Sequence, residues 1–348
     1  MRGRRWLTAL ILFGLTSLLA DVCYEGFRAM LGPLASEKHG SWLALGLVMA
    51  EGEALNWGLR LPAALLADRL GAYWALTILG YSLVPVGVGL ALAAPGLAAL
   101  ALGVGLERLG KTLRGPARDA LLSGLGGPRG LVYGVHELMD QVGAVAGPLL
   151  AYAAIESGNQ WLILAPGAAA VASIVTARLV YPGRVGGAER KAGSLRLHAG
   201  IFALGLTTLL LPHPVVAAAA AAAATGNAAA APLAYTLAMV VDGAAALPLG
   251  RLYDRVGAAS LAVLPASGVA AALLLALGEP LWSMVAIGVG LAALETVYRA
   301  YVADRVPERA AGFGSLSLGV GVGQAASAVL YSVIASIVYP PLASLSTP

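Results

Sequence analysis

Acidic side chains recur inside stretches that are otherwise apolar: Asp21, Glu51, Glu53, Glu107 and Asp140, with Glu25 one turn beyond Asp21. Asp21, Glu25 and Arg28 are spaced i, i+4, i+7, and His136 and Asp140 are spaced i, i+4, so each set shares one helix face. A charge at the centre of a bilayer costs at least about 2.5 kcal/mol, so such groups face a cavity, pair with an opposite charge or change protonation state. The chemistry open to them is the uptake and release of protons or cations, because desolvation favours the protonated acid and a nearby arginine favours the carboxylate. The counter-charges at hand are Arg28, Arg60, Arg108, Lys111 and, from the second half of the chain, Arg299. They do not cover the five midplane carboxylates, and an acidic cavity suited to a cationic solute or a proton is expected. Asp21 and Asp140 are the foremost proton carriers, followed by Glu25 and Glu51.

Two other uses of the same residues stay open. Glu107 with Arg108 and Lys111 also fits a pairing network that holds or gates a bundle. Asp21, Glu25, His136 and Asp140 offer oxygen and nitrogen ligands suited to manganese, iron, nickel or zinc, so a divalent-metal carrier is the alternative function. In the second half only Asp242 and Glu295 reach a comparable depth, and Tyr235, Tyr298, Arg299 and Gln324 are the further polar candidates. His39, His198 and His213 receive no role.

The elements that must position these groups are membrane helices. Of the 348 residues 59% are apolar and 11% charged, and the mean hydropathy is +0.81, far from a soluble domain with about 25% charge. Apolar stretches long enough to cross a core of about 30 Å fall near 6–33, 42–67, 72–92, 95–118, 130–155, 160–181, 197–224, 228–251, 257–278, 280–304 and 310–339. The last is read as one span, because two halves of it would be too short to cross. The polar segment 182–196 divides a six-helix bundle, 1–181, from a bundle of about five helices, 197–348. The net charge of +4 does not point to nucleic acid, because the basic residues lie in short loops. With a cytoplasmic N-terminus, Lys38 is the only Lys or Arg in an outside loop, a positive-inside pattern that places the C-terminus outside a prokaryotic plasma membrane. The lone Cys23 rules out an intrachain disulfide. H-E-x-x-H, G-x-S-x-G and paired-aspartate protease patterns are absent, so no enzyme is expected.

The chain repeats itself. Ala67 to Ala72 (ADRLGA) matches Tyr253 to Ala258 (YDRVGA), and Gly103 to Leu106 (GVGL) matches Gly288 to Leu291. At the second offset Arg114 falls on Arg299 and Asp119 on Asp304. Carried forward, the offset puts the end of a complete second half about one helix past Pro348, so eleven helices (six plus five) are expected and a twelfth is missing.

These residues carry a resemblance. Asp68-Arg69-x-Gly71, repeated as Asp254-Arg255-x-Gly257, resembles the cytoplasmic signature of the major facilitator superfamily, with Ala64 in place of its first glycine and Ala72-Tyr73 in place of its final basic pair. Gly134, Gly143 and Gly147-Pro148 have the spacing of the antiporter signature of proton-coupled exporters in that superfamily, with Ala151-Tyr152 where a glycine pair would end it. The run Arg108-x-Gly110-Lys111-x-x-Arg114-x-Pro116-x-Arg118-Asp119-Ala120-Leu121 is similar to that of a prokaryotic subgroup. The resemblance implies an all-α major facilitator fold of two parallel-repeat bundles and a monomeric secondary transporter in contact with membrane lipids. It implies a proton-coupled exporter of a small organic or cationic solute, with the proton as coupling ion and no cofactor. Asp68, Arg69, Arg114, Arg118, Asp119, Asp254 and Arg255 are then gate residues.

Overall fold

The computed structural model describes residues 2–125, 129–181, 198–305 and 309–344; the expected loop 182–196 lies outside them. Within a bilayer a helix satisfies its own backbone polar groups, so the apolar stretches have little choice of conformation. The helices are α1 (Arg2–Glu37), α2 (Trp42–Gly58), α3 (Arg60–Leu70), α4 (Tyr73–Leu92), α5 (Leu97–Ser123), α6 (Arg129–Glu156) and α7 (Leu164–Val180). They continue as α8 (Ala199–Leu206), α9 (Pro214–Thr225), α10 (Ala230–Val256), α11 (Val263–Ala276), α12 (Pro280–Ala293), α13 (Arg299–Arg305) and α14 (Arg309–Val338). The described residues include no strand. Among the described residues the expected spans are helical over most of their length, and eight helical stretches are long and apolar enough to cross a membrane. The last is a single helix of 30 residues.

Two expected spans are broken, each by proline. Pro62 has no N–H to offer the carbonyl of Gly58 and its ring crowds that oxygen, so the stretch 42–67 parts at Leu59 into α2 and α3. Pro212 and Pro214 each push the preceding residue out of the helical region, and Leu211 (ψ 116) and His213 (ψ 126) are extended. The stretch 197–224 therefore becomes α8, a 3-10 turn Thr207–Leu210 and α9. The carbonyls freed at this break are satisfied by α14: Tyr331 Oη donates to Leu210 O at 2.8 Å and Ser327 Oγ to Leu211 O at 2.6 Å. A further irregularity, the π-turn Leu294–Tyr298, joins α12 to α13.

The repeat is visible in backbone geometry. Gly71 (φ 61) ends α3 with its N–H on Ala67 O, and Gly257 (φ 57) ends α10 with its N–H on Tyr253 O. Both stand where L-residues with a side chain are strained.

The chain forms two compact units: Met1–Arg28, Leu59–Ala94 and Ala98–Ala192; and Ala29–Gly58, Pro95–Leu97 and Gly193–Pro348. In the first, α4 and α5 cross where Gly80 meets Gly110 and Gly87 meets Gly103; a Cβ on any of the four would lie within 2.7 Å of backbone opposite. In the second, α2 packs on α14, α10 and α11 pack on α12, and α9 touches α2, α10, α12 and α14. From Val215 to Ala223, α9 is buried without interruption.

Candidate functional site

In the first unit a buried charge cluster is built from α1, α5 and α6. Asp21 and Glu25 are each 6% exposed. Arg114 Nη2 stands 3.8 Å from Asp21 Oδ1, and Arg28 Nη1 stands 3.8 Å from Glu25 Oε2. Arg118 Nη1 and His136 Nε2 are each 3.8 Å from Asp140 Oδ2. All four contacts are longer than a hydrogen bond, so the arginines offset Asp21, Glu25 and Asp140 by proximity. Lys111 Nζ donates to Tyr24 Oη at 2.7 Å, and Asp140, Lys111, Arg114 and Glu25 are all close enough to act electrostatically on Asp21. Arg114 also lies over two rings, 4.6 Å from the centroid of Tyr81 and 5.4 Å from that of Tyr24, a favourable seat for a desolvated guanidinium.

Helix packing sets this geometry. Gly143 and Gly147 of α6 press on α1: a Cβ at Gly143 would stand 2.6 Å from Leu18 O and 2.8 Å from Asp21 Cβ, and one at Gly147 2.7 Å from Val22 O. Gly26 of α1 answers, its would-be Cβ 2.6 Å from Gly147 O. These glycines bring the Asp21 and Asp140 backbones together, as small residues do between membrane helices. Pro148 continues the same buried edge of α6. Gly134, grouped with them by spacing, is corrected: it is exposed, no described atom lies within 4 Å of its would-be Cβ, and it takes no part in this packing.

The counter-charges differ from those expected. Arg114, placed by sequence among the cytoplasmic gate residues, is 2% exposed and beside Asp21. Arg118 reaches inward to Asp140 while two of its N–H groups, Nε and Nη2, donate to the exposed Asp119 at 3.0 and 2.9 Å. With Lys111, Arg114 and Arg118 among Asp21, Glu25 and Asp140, the expectation of an acidic layer short of cations is corrected for this unit: α5 stays helical to Ser123 and carries the arginines on its buried length. Glu107 (0% exposed) lies 3.2 Å from Arg108 Nε. Asp68 accepts from Tyr73 Oη at 3.0 Å, and Asp304, the repeat partner of Asp119, accepts from Tyr253 Oη at 2.8 Å. Asp68, Arg69, Asp254 and Arg255 are exposed at the two repeated turns. Among the described residues no three His, Cys, Asp or Glu side chains gather to hold a metal ion, so Asp21, Glu25, His136 and Asp140 do not form the ligand set that their sequence spacing offered.

The second unit holds fewer charges. Glu295, in the π-turn, and Arg299, just after it, are exposed, as is Glu51, whereas Asp242 is buried. Glu53 is buried against His213, a residue that sequence reasoning passed over: Nε2 and Oε1 are 3.4 Å apart, and Trp57 Nε1 donates to the other carboxylate oxygen at 2.9 Å. The available signal was Leu211-Pro212-His213-Pro214, a histidine between two prolines in an apolar stretch.

This arrangement of helices recurs in solved transporters. A structure of a variant of the nucleoside transporter NupG superposes with a TM-score of 0.77 at 12% identity, covering 93% of this chain and 91% of that one. A bacterial homologue of the human lysosomal transporter Spinster gives 0.66 at 17% identity over 93% and 81%. A POT family transporter in complex with 5-aminolevulinic acid gives 0.67 at 12% identity over 94% of each chain. The fold is the all-α, polytopic fold of the major facilitator superfamily. No protein-family model matches the chain. In sequence it is 35% identical, over 355 residues, to the uncharacterised proteins Rv2265 of Mycobacterium tuberculosis (strain H37Rv) and Mb2288 of Mycobacterium bovis, with 91% of this chain and 84% of each relative covered. The chain belongs to the family of these mycobacterial proteins.

Proposed function

We propose that this chain is a secondary transporter of the plasma membrane that works by alternating access and exports a small organic or cationic solute in exchange for protons. The observation that carries the reading is the cluster of buried Asp21, Glu25 and Arg114 with the partly exposed Asp140, Lys111 and Arg118 inside a membrane-spanning unit. Buried charges of this kind are retained where ions or substrates are handled. Their loose pairing suits a proton carrier: a proton on Asp21 or Asp140 releases Arg114 or Arg118, and loss of the proton draws the guanidinium back. The fold supports transport, since the solved structures that share it are by their own descriptions a nucleoside transporter, a peptide transporter in complex with alafosfalin and a POT family transporter in complex with 5-aminolevulinic acid. The contact of Gly143 and Gly147 with α1, at the spacing of the antiporter signature, supports exchange against protons.

The test is reconstitution in liposomes that enclose a pH-sensitive dye, with amphiphilic cations, nucleosides, sugars and organic acids added in turn. At least one solute should drive proton movement, and Asp21→Asn or Asp140→Asn should cut that movement about tenfold or more, equivalent to about 1.4 kcal/mol or more of lost coupling. Solute flux that ignores both an imposed pH gradient and the two substitutions rejects proton exchange.

A further inference from the structure

Tyr24 stands on α1 one turn beyond Asp21, and its partner is a cation. Lys111 Nζ of α5 donates to Tyr24 Oη at 2.7 Å and lies 4.1 Å from the centroid of the same ring. Both contacts satisfy an ammonium without a carboxylate: the phenol oxygen accepts a charge-assisted hydrogen bond, and the ring face attracts the charge. Among the described residues Lys111 makes no ion pair within 4 Å, and Asp21 makes no side-chain hydrogen bond. Yet the two are within reach: of the cations that act on Asp21, Lys111 acts most strongly, ahead of Arg114.

The other cations on this face of α5 are held in the same manner. Lys111, Arg114 and Arg118 are spaced i, i+3, i+7. Arg114 lies over the rings of Tyr81 and Tyr24 and stays 3.8 Å from Asp21. Arg118 donates to Asp119 and, at 3.3 Å, to Ser17 Oγ, and stays 3.8 Å from Asp140. Each cation thus has an anchor other than the membrane acid it faces. The anchor matters because unscreened charges in a medium of low dielectric close on one another, and a hydrogen bond to a carboxylate fixes the acid in that one form.

We propose that Tyr24 is a positioning residue for Asp21: its hydroxyl and ring hold the Lys111 ammonium aside and leave the Asp21 carboxyl free to react. What that freedom serves rests on the transport reading above, whereas the hold of Tyr24 on Lys111 is a matter of contacts alone.

A hydrophobic carbodiimide tests this without knowledge of the solute. The reagent adds to a carboxyl group inside the membrane, the carboxyl oxygen bonding to its central carbon and the proton passing to its nitrogen, and an acid bonded to an ammonium is shielded from it. The full chain in liposomes is treated with dicyclohexylcarbodiimide at one fixed pH and digested, and the label is located by mass spectrometry. Asp21 should react in the parent. Tyr24→Phe keeps the ring and loses the acceptor, so Lys111 turns to Asp21 and labelling there should fall about tenfold, the effect of one hydrogen bond to a charged group. Lys111→Met in the Tyr24→Phe background should return labelling to the parent level, which damage to the fold by Tyr24→Phe would not allow. Asp140, faced by Arg118, should label alike in all three chains. An unreactive Asp21 in the parent, labelling unmoved by Tyr24→Phe, or a loss that Lys111→Met does not reverse overturns the proposal. Solute-driven proton movement is scored separately: the expected labelling without any such movement rejects the transport reading and upholds the role of Tyr24.

Discussion

Glu107 and Arg108 are neighbours in sequence, 0% and 2% exposed, and their charged groups are 3.2 Å apart. Neither carboxylate oxygen of Glu107 has a hydrogen-bond partner among the described residues. Such a pair does little for net stability, yet each member makes the other tolerable. Glu107→Ala should therefore destabilise the chain by about 3–5 kcal/mol, and the double substitution Glu107→Leu, Arg108→Met by less than the single one. Thermal unfolding in detergent checks the order, and a double variant worse than the single rejects it. At this scale the sequence showed which acids are buried, since an acid in an apolar stretch is conspicuous. It did not show their partners. Arg114 and Arg118 read as cytoplasmic because basic residues gather at the inner ends of spans, and Tyr24 and Tyr81, which bracket Arg114, look like ordinary core aromatics. His213 was invisible as a partner because Glu53 is 160 positions away.

Among the elements, the α1 and α6 contact turns on Gly143 and Gly147 of α6 with Gly26 of α1 opposite. Gly147→Val would drive a side chain into Val22 O, 2.7 Å from the new Cβ, and Gly26 N, 2.8 Å from it. Overpacking of this kind costs about 1–3 kcal/mol, and the helices must part at the level of Asp21. Gly134→Ala meets open space and should be neutral or stabilising by up to about 1 kcal/mol, the helix preference of alanine over glycine. Comparing the unfolding temperatures of the two variants decides whether all three glycines of the motif act in packing or only two; equal losses would reject this account. Helix existence was legible from apolar length, and the repeated turns from D-R-x-G. The two breaks were not, because a length count passes over Pro62, Pro212 and Pro214 unless each is asked which carbonyl it deprives of a donor.

For the molecule as a whole, the basic residues define a topology that can be checked without knowing the solute. An impermeant maleimide on intact cells should label Lys38→Cys, in the turn after α1, and spare Arg255→Cys, in the last turn of α10, until the cells are opened; the reverse pattern would reject the orientation. The duplication was legible because its most constrained turn kept its letters: Gly71 and Gly257 both have positive φ. The membership of the compact units was not. Residues 29–58 belong by sequence to the first half and by packing to the second unit, and the joint of α2 with α14 pairs segments that share no local signal, so only the folded chain reveals it.

The alanine helix α9 has a mechanical consequence. Interlocking helices hold their register because large side chains form ridges that drop into a neighbour's grooves. From Ala217 to Ala224 this helix carries only methyl groups, so it is a smooth shaft in a fitted sleeve, nearly alike at every angle of rotation. What indexes such a shaft is its ends: Pro214 with the Glu53-bound His213 at one, and the left-handed Gly226 at the other. Turning or sliding α9 therefore requires little repacking along its length, and the resistance to that motion is concentrated at its two ends.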